Sequence, residues 1–110
     1  MDTSTMSAPK PAVLGPDDLA ASLDQLPDWR GRLGALHTAY VAPSAAAALA
    51  LVAAIGEAAE SIDHHPDVDW RYDHVFVRST THQVGDEVTE RDIQLAAQIS
   101  SLAATAGARA

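Results

Sequence analysis

A chain of 110 residues with 47% hydrophobic content fits one compact domain rather than two. It has no cysteine, which excludes disulfide scaffolds, thiolate zinc sites and cysteine nucleophiles. Fifteen acidic against seven basic residues give a formal net charge of -8, so neither direct nucleic-acid binding nor docking on anionic membranes is expected.

The longest greasy stretch, Ala45 to Ile55, ends at Gly56 and Glu57 and reads as too short to span a bilayer. The N-terminus carries one lysine, Lys10, with no apolar core behind it, so no signal peptide is expected and the expected address is the cytoplasm. A core this small makes self-association, as a homodimer or homotetramer, a plausible source of added stability.

In chain order, Met1 to Gly15 mixes Ser, Thr, Pro and Ala and reads as a disordered tail, leaving one domain over 16–106. Pro16-Asp17-Asp18 opens a short helix, with proline in the first turn and acids at the positive end of the dipole. Leu19, Leu23 and Leu26 form its apolar stripe and Pro27 stops it. Trp29 to Ala42 reads as a hairpin, with Gly31 and Gly34 permitting a tight reversal and strand alternation over Leu36 to Val41. From Pro43-Ser44 a long alanine-rich helix runs to about Ile62. Asp63-His64-His65-Pro66 ends it, because Pro66 disfavours helix at His65.

Val68 to Thr81 predicts two strands around a turn near Tyr72-Asp73, followed by a loop containing Gly85. Thr89-Glu90-Arg91-Asp92 resembles a capping box with Asp in the usual Glu position, and Leu95, Ile99 and Leu102 mark the buried face of a last helix. The order predicts a two-layer α+β domain: an N-terminal helix, then β-β-α-β-β-α, with a four-stranded antiparallel sheet covered on one face by helices.

Three of the five histidines, His64, His65 and His82, lie at element ends, where rigid backbone can hold proton-transfer groups around one cleft. From the spacing alone, His64 and His65 read first as a polar helix end with favourable dipole interactions, and His37 and His74 read as solvated surface residues. Asp92 reads first as a helix cap, Glu60 equally as a solvated helix residue, and Trp29 and Tyr72 as packing residues.

The string Glu60-Ser-Ile-Asp-His64-His65-Pro66, then Tyr72, Thr80-Thr81-His82 and Thr89-Glu90-Arg91-Asp92, resembles the signature of the pterin-4a-carbinolamine dehydratases. The resemblance runs from about Leu26 to Ile99. The His-His-Pro and Thr-His elements are specific in combination and weak singly. Three departures stand out: the alanine-rich long helix, a Gln83–Val88 loop one residue longer than the common form, and Asp73 where relatives often carry asparagine.

The resemblance implies elimination of water from a 4a-hydroxytetrahydropterin to give quinonoid dihydropterin. It implies acid and base roles for His64 and His82 with the direction open, and pterin binding or orientation by His65. Asp63, Glu60 or Asp92 would hold an imidazole tautomer or accept from the pterin, and Thr81 and Trp29 would line the site. No metal and no redox cofactor is expected. Three alternatives stay open: a His/Asp metal site at His64, His65, His82 and Asp63; a non-catalytic binding module acting as assembly chaperone or dimerisation cofactor; and a dehydratase for a different bicyclic substrate.

Overall fold

The computed structural model describes residues 10–110. The expected tail falls largely on residues 1–9, outside that range. Where the description begins, Val13 bridges Thr89 and the Leu14 N–H donates to the Val88 carbonyl at 2.9 Å.

Helix α1 spans Pro16–Asp24, with Pro16 in its first turn and Asp17 and Asp18 at the positive dipole end. Its apolar side lies on strand β1 (Arg30–Arg32), where a Cβ at Gly31 would stand 3.3 Å from Leu23 Cδ1. Strand β2 (Ala35–Val41) returns through a two-residue turn with Leu33 at φ 51° and Gly34 at φ 74°. Both are left-handed, the combination that matches the twist of a hairpin. Helix α2 (Ala45–Ile62) starts at Ser44, whose hydroxyl accepts from the Ala47 N–H. Strands β3 (Asp67–Arg71) and β4 (His74–Ser79) turn at Tyr72-Asp73, and α3 (Glu90–Thr105) closes the chain. The Thr89/Asp92 capping box is formed as expected.

All strand pairs are antiparallel, in the order β1-β2-β4-β3. Leu36 and Tyr40 of β2 and Val75 and Val77 of β4 meet Leu51 and Ile55 of α2 and Leu95 and Ile99 of α3 in one core. The opposite sheet face is open, with His37, Ala39, Phe76 and Arg78 lining a concavity of about 500 Å³.

One sequence expectation needs correction. Helix α2 has 18 residues at mean hydropathy 1.6, and is long and apolar enough to cross a bilayer by length and composition. The contiguous run ends at Gly56-Glu57, but Ala58, Ala59 and Ile62 keep the 18-residue average apolar in spite of Glu57 and Glu60. Its inner face, Ala48, Leu51, Ile55 and Ala59, is buried in the core. Its outer face is largely bare, with Leu49 47% exposed.

A partly buried polar network ties the first hairpin to α3. Tyr40 donates to Asp28 Oδ2 at 2.8 Å, and Trp29 Nε1 donates to Ser100 Oγ at 2.9 Å. Burial, reinforced by the Asp28 carboxylate, pushes the Tyr40 phenol up to about 12. In the unfolded chain the phenol ionises near pH ~10. The stabilisation that Tyr40 supplies is therefore complete below that pH and lost as pH rises from 10 towards 12. Tyr40→Phe is expected to cost about 1 kcal/mol at neutral pH and to flatten the alkaline decline. Denaturant melts between pH 7 and about pH 11 check this, and an unchanged alkaline decline in the variant contradicts it.

Candidate active site

The site forms where the C-terminus of α2, the end of β4 and the N-terminus of α3 converge. Helix α2 ends in a Schellman closure: the His64 N–H bonds the Ala59 carbonyl at 3.0 Å and the Asp63 N–H bonds the Glu60 carbonyl at 3.3 Å. Asp63 occupies the left-handed position usually given to glycine, at φ 52°. With Pro66 close behind, this turn sends the two adjacent histidines in different directions. His64 turns inward and is 7% exposed, whereas the His65 side chain stays half exposed beside Glu60.

Inside, the fully buried Asp92 carboxylate receives four donors. Oδ1 accepts from His64 Nε2 at 2.6 Å and from Ser79 Oγ at 2.6 Å. Oδ2 accepts from Thr81 Oγ1 at 2.7 Å and from the Thr89 N–H at 2.9 Å. Each partner is placed by its element. Ser79 ends β4, and Thr81, two residues beyond it and still extended at φ -107°, points to the same side. Thr89 and Asp92 are the cap and third position of α3, where the helix dipole favours a carboxylate. Four donors suit an acceptor-only group, so Asp92 sits as the carboxylate and His64 carries its proton on Nε2. Among the described residues no buried side-chain nitrogen or oxygen lacks a partner. His64 Nδ1, engaged by no group among the described residues, therefore reaches solvent.

That solvent is a cleft of about 480 Å³ lined by Asp63, His64, His65, Thr80, Thr81, His82, Gln83 and Arg91. His82 opens a short 3-10 turn (His82–Val84) after β4, and its Nδ1 lies 2.5 Å from Asp86 Oδ1. His65 Nε2 bonds Glu60 Oε2. Arg91 reaches back to the Asp63 carbonyl at 3.4 Å. Each of the three cleft histidines thus has one nitrogen held by a carboxylate and one left over.

The structure brings His64, His65, His82, Asp63 and Thr81 to one cleft and puts Asp92 directly behind it. Glu60 stands at the edge, on a shallow concavity shared with His65 and the outer side of α2. Trp29 is not brought to the cleft: it is 4% exposed in the core, bonded to Ser100. Asp92 is 0% exposed and is bonded by the cleft-lining His64 and Thr81. Sequence reasoning missed Ser79, although its two-residue spacing from Thr81 on a strand was visible. It also missed Asp86, which Gly85 beside it and the four-residue spacing from His82 could have flagged. Among the described residues no group of three or more His, Cys, Asp or Glu side chains is disposed to hold a metal ion.

Fold and site together define a small α+β protein with a cleft of carboxylate-backed histidines at one end of its sheet. The family described as Pterin 4 alpha carbinolamine dehydratase matches residues 12–102. A protein of Nocardia farcinica, named "Putative pterin-4-alpha-carbinolamine dehydratase", is 42% identical over 91 residues, covering 83% of this chain and 95% of that one. A protein of the same name from Thermomicrobium roseum is 40% identical over 85 residues, covering 77% and 90%. The crystal structure of a transcriptional coactivator/pterin dehydratase from Brucella melitensis superposes with a TM-score of 0.80 at 26% identity, covering 84% of this chain and 99% of that one. A pterin dehydratase-like RuBisCO assembly factor of the alpha-carboxysome shares the fold at a TM-score of 0.56 and 21% identity, covering 68% and 86%. The chain belongs to the pterin-4a-carbinolamine dehydratase family.

Proposed function

We propose that this protein is an active hydro-lyase that removes water from a 4a-hydroxytetrahydropterin and releases quinonoid dihydropterin. The observation that carries the reading is the pair of histidines lining one cleft, each fixed by a carboxylate on one nitrogen. The reaction breaks the N5–H bond and the C4a–O bond of the pterin. The N5–H electron pair becomes the new N5=C4a bond, and the hydroxyl leaves with a proton as water. The oxidation state of the system does not change, so the step calls for a base and an acid but no electron acceptor.

His64 suits the base. Its Nδ1 lone pair lines the cleft, and the Asp92 carboxylate behind it stabilises the imidazolium formed on taking the N5 proton. His82 is then the acid that protonates the departing hydroxyl. His65, held by Glu60, orients the pterin, and Asp63 on the rim accepts from its amino and ring N–H groups. Thr81 has its hydroxyl committed to Asp92 and Thr89, so it serves by holding the base in place.

The test is the rate of water loss from freshly generated 4a-hydroxytetrahydropterin. Acceleration over the spontaneous reaction supports the reading. No acceleration by folded protein moves it to a binding module that retains the family cleft.

The bare outer face of α2 supports a second copy of the chain as its cover. Leu49 is 47% exposed, and a Cβ at Gly56 would meet nothing within 4 Å, leaving room for close helix approach. Sedimentation is expected to give a dimer or larger species, and Leu49→Glu is expected to dissociate it. A monomeric wild type, or an unchanged mass in the variant, contradicts this.

A further inference from the structure

We infer that Asp86 is a positioning residue for His82, fixing which nitrogen of that imidazole faces the cleft. The inference rests on the dehydratase reading for its chemical use, but not for its geometry. Asp86 belongs to the same short loop as His82, four residues further on, so the pair is built within that loop.

The loop is closed tightly on itself. The Thr81 N–H bonds the Glu87 carbonyl at 3.0 Å, and the Asp86 N–H bonds the Thr81 carbonyl at 3.2 Å. Gly85 at φ 77° and Asp86 at φ 62° are both left-handed. Two such residues in succession fold the chain back, so that the Asp86 carboxylate returns to the ring four residues earlier, 2.5 Å from His82 Nδ1. Aspartate is one of the few side chains that tolerate this backbone region.

The first hairpin buttresses the loop from below. Thr80 Oγ1 donates to the Gly34 carbonyl at 2.6 Å, and a Cβ at Gly34 would stand 2.2 Å from the Asp86 carbonyl oxygen. The backbone that carries the carboxylate is thus held from both sides, although the Asp86 and His82 side chains are themselves largely exposed.

A carboxylate only accepts, so it retains the proton on His82 Nδ1. The cleft is left with Nε2. When the imidazolium gives up a proton it does so from Nε2, towards the departing hydroxyl, and the neutral ring left behind is the Nδ1–H tautomer. Asp86 touches no reacting atom in this scheme and acts through His82.

The experiment is nitrogen NMR of the His82 ring, with turnover measured on the same samples, in wild type, Asp86→Gly and Asp86→Asn. Glycine keeps the left-handed backbone without strain, and asparagine keeps an acceptor oxygen without the charge. In neutral wild-type His82 the Nδ1–H tautomer is expected to dominate. In Asp86→Gly the ring is expected to shift towards Nε2–H, with kcat about tenfold lower and KM changed less than kcat. Asp86→Asn is expected to fall between the two. An unchanged tautomer in Asp86→Gly overturns the inference even if turnover drops, because a merely structural role for Asp86 would lower stability and leave the tautomer alone. A shifted tautomer in a protein that does not turn over the pterin leaves Asp86 as the positioning residue and removes the dehydratase reading instead.

Discussion

Asp92→Ala is expected to lower folding stability by about 3–5 kcal/mol, the largest loss from any single substitution considered for this protein. The reason is the count of donors left behind. His64 Nε2, Ser79 Oγ, Thr81 Oγ1 and the Thr89 N–H all point at this one carboxylate. Ser79, Thr81 and Thr89 are almost wholly buried, so water cannot easily replace it. The substitution also removes half of the capping box of α3. Equilibrium denaturation measures the loss, and a cost under about 1 kcal/mol would mean that the network contributes little. Asp92→Asn separates geometry from charge. Its amide nitrogen would face donors on one side, pressing His64 to rotate or change tautomer.

His64→Ala is expected to slow dehydration by about 10²-fold or more while the protein stays folded. The side chain is 7% exposed and its removal frees one Asp92 lone pair, but Ser79 still bonds the same oxygen. Stability therefore falls by only about 1–3 kcal/mol, far less than turnover falls. His65→Ala is the informative comparison. That ring is half exposed and bonded to an exposed Glu60, so its loss acts on substrate orientation and raises KM more than it lowers kcat.

Much of this architecture was legible in the sequence because its punctuation is local. Pro16, Ser44, Thr89 and the Gly34 turn act within a few residues of themselves, and each stands where the elements begin or reverse. The core-facing sides of β2 and β4 followed from strict alternation in Leu36 to Val41 and Val75 to Val77, since a two-residue period leaves one face for the core. The histidines were legible as a group only through the combined His-His-Pro and Thr-His elements, because histidines at element ends alone fit a polar helix end on the surface.

What was not legible depends on distance in the fold. Asp92 read first as a cap and, through the family resemblance, as one of three candidates to hold an imidazole; nothing in its neighbourhood announced that Ser79 would share the oxygen that His64 meets. Trp29 read as a possible wall of the cleft, yet its indole N–H finds Ser100, 71 positions away, and the ring stays in the core. The His82–Asp86 pair depends on two consecutive left-handed residues, a conformation that glycine signals clearly and aspartate does not. The apolar length of α2 was underestimated because alanine is weakly apolar on its own and adds up only over the full 18 residues.

The central claim is that proton transfer by His64 and His82 in this cleft drives loss of water from a pterin. The most direct test is a side-by-side assay of freshly generated 4a-hydroxytetrahydropterin with wild type, His64→Ala and His82→Ala, each first shown to be folded. The account predicts acceleration by wild type that falls by about 10²-fold or more in both variants. Wild-type rates in either variant, or no acceleration by wild type over the spontaneous reaction, would contradict it.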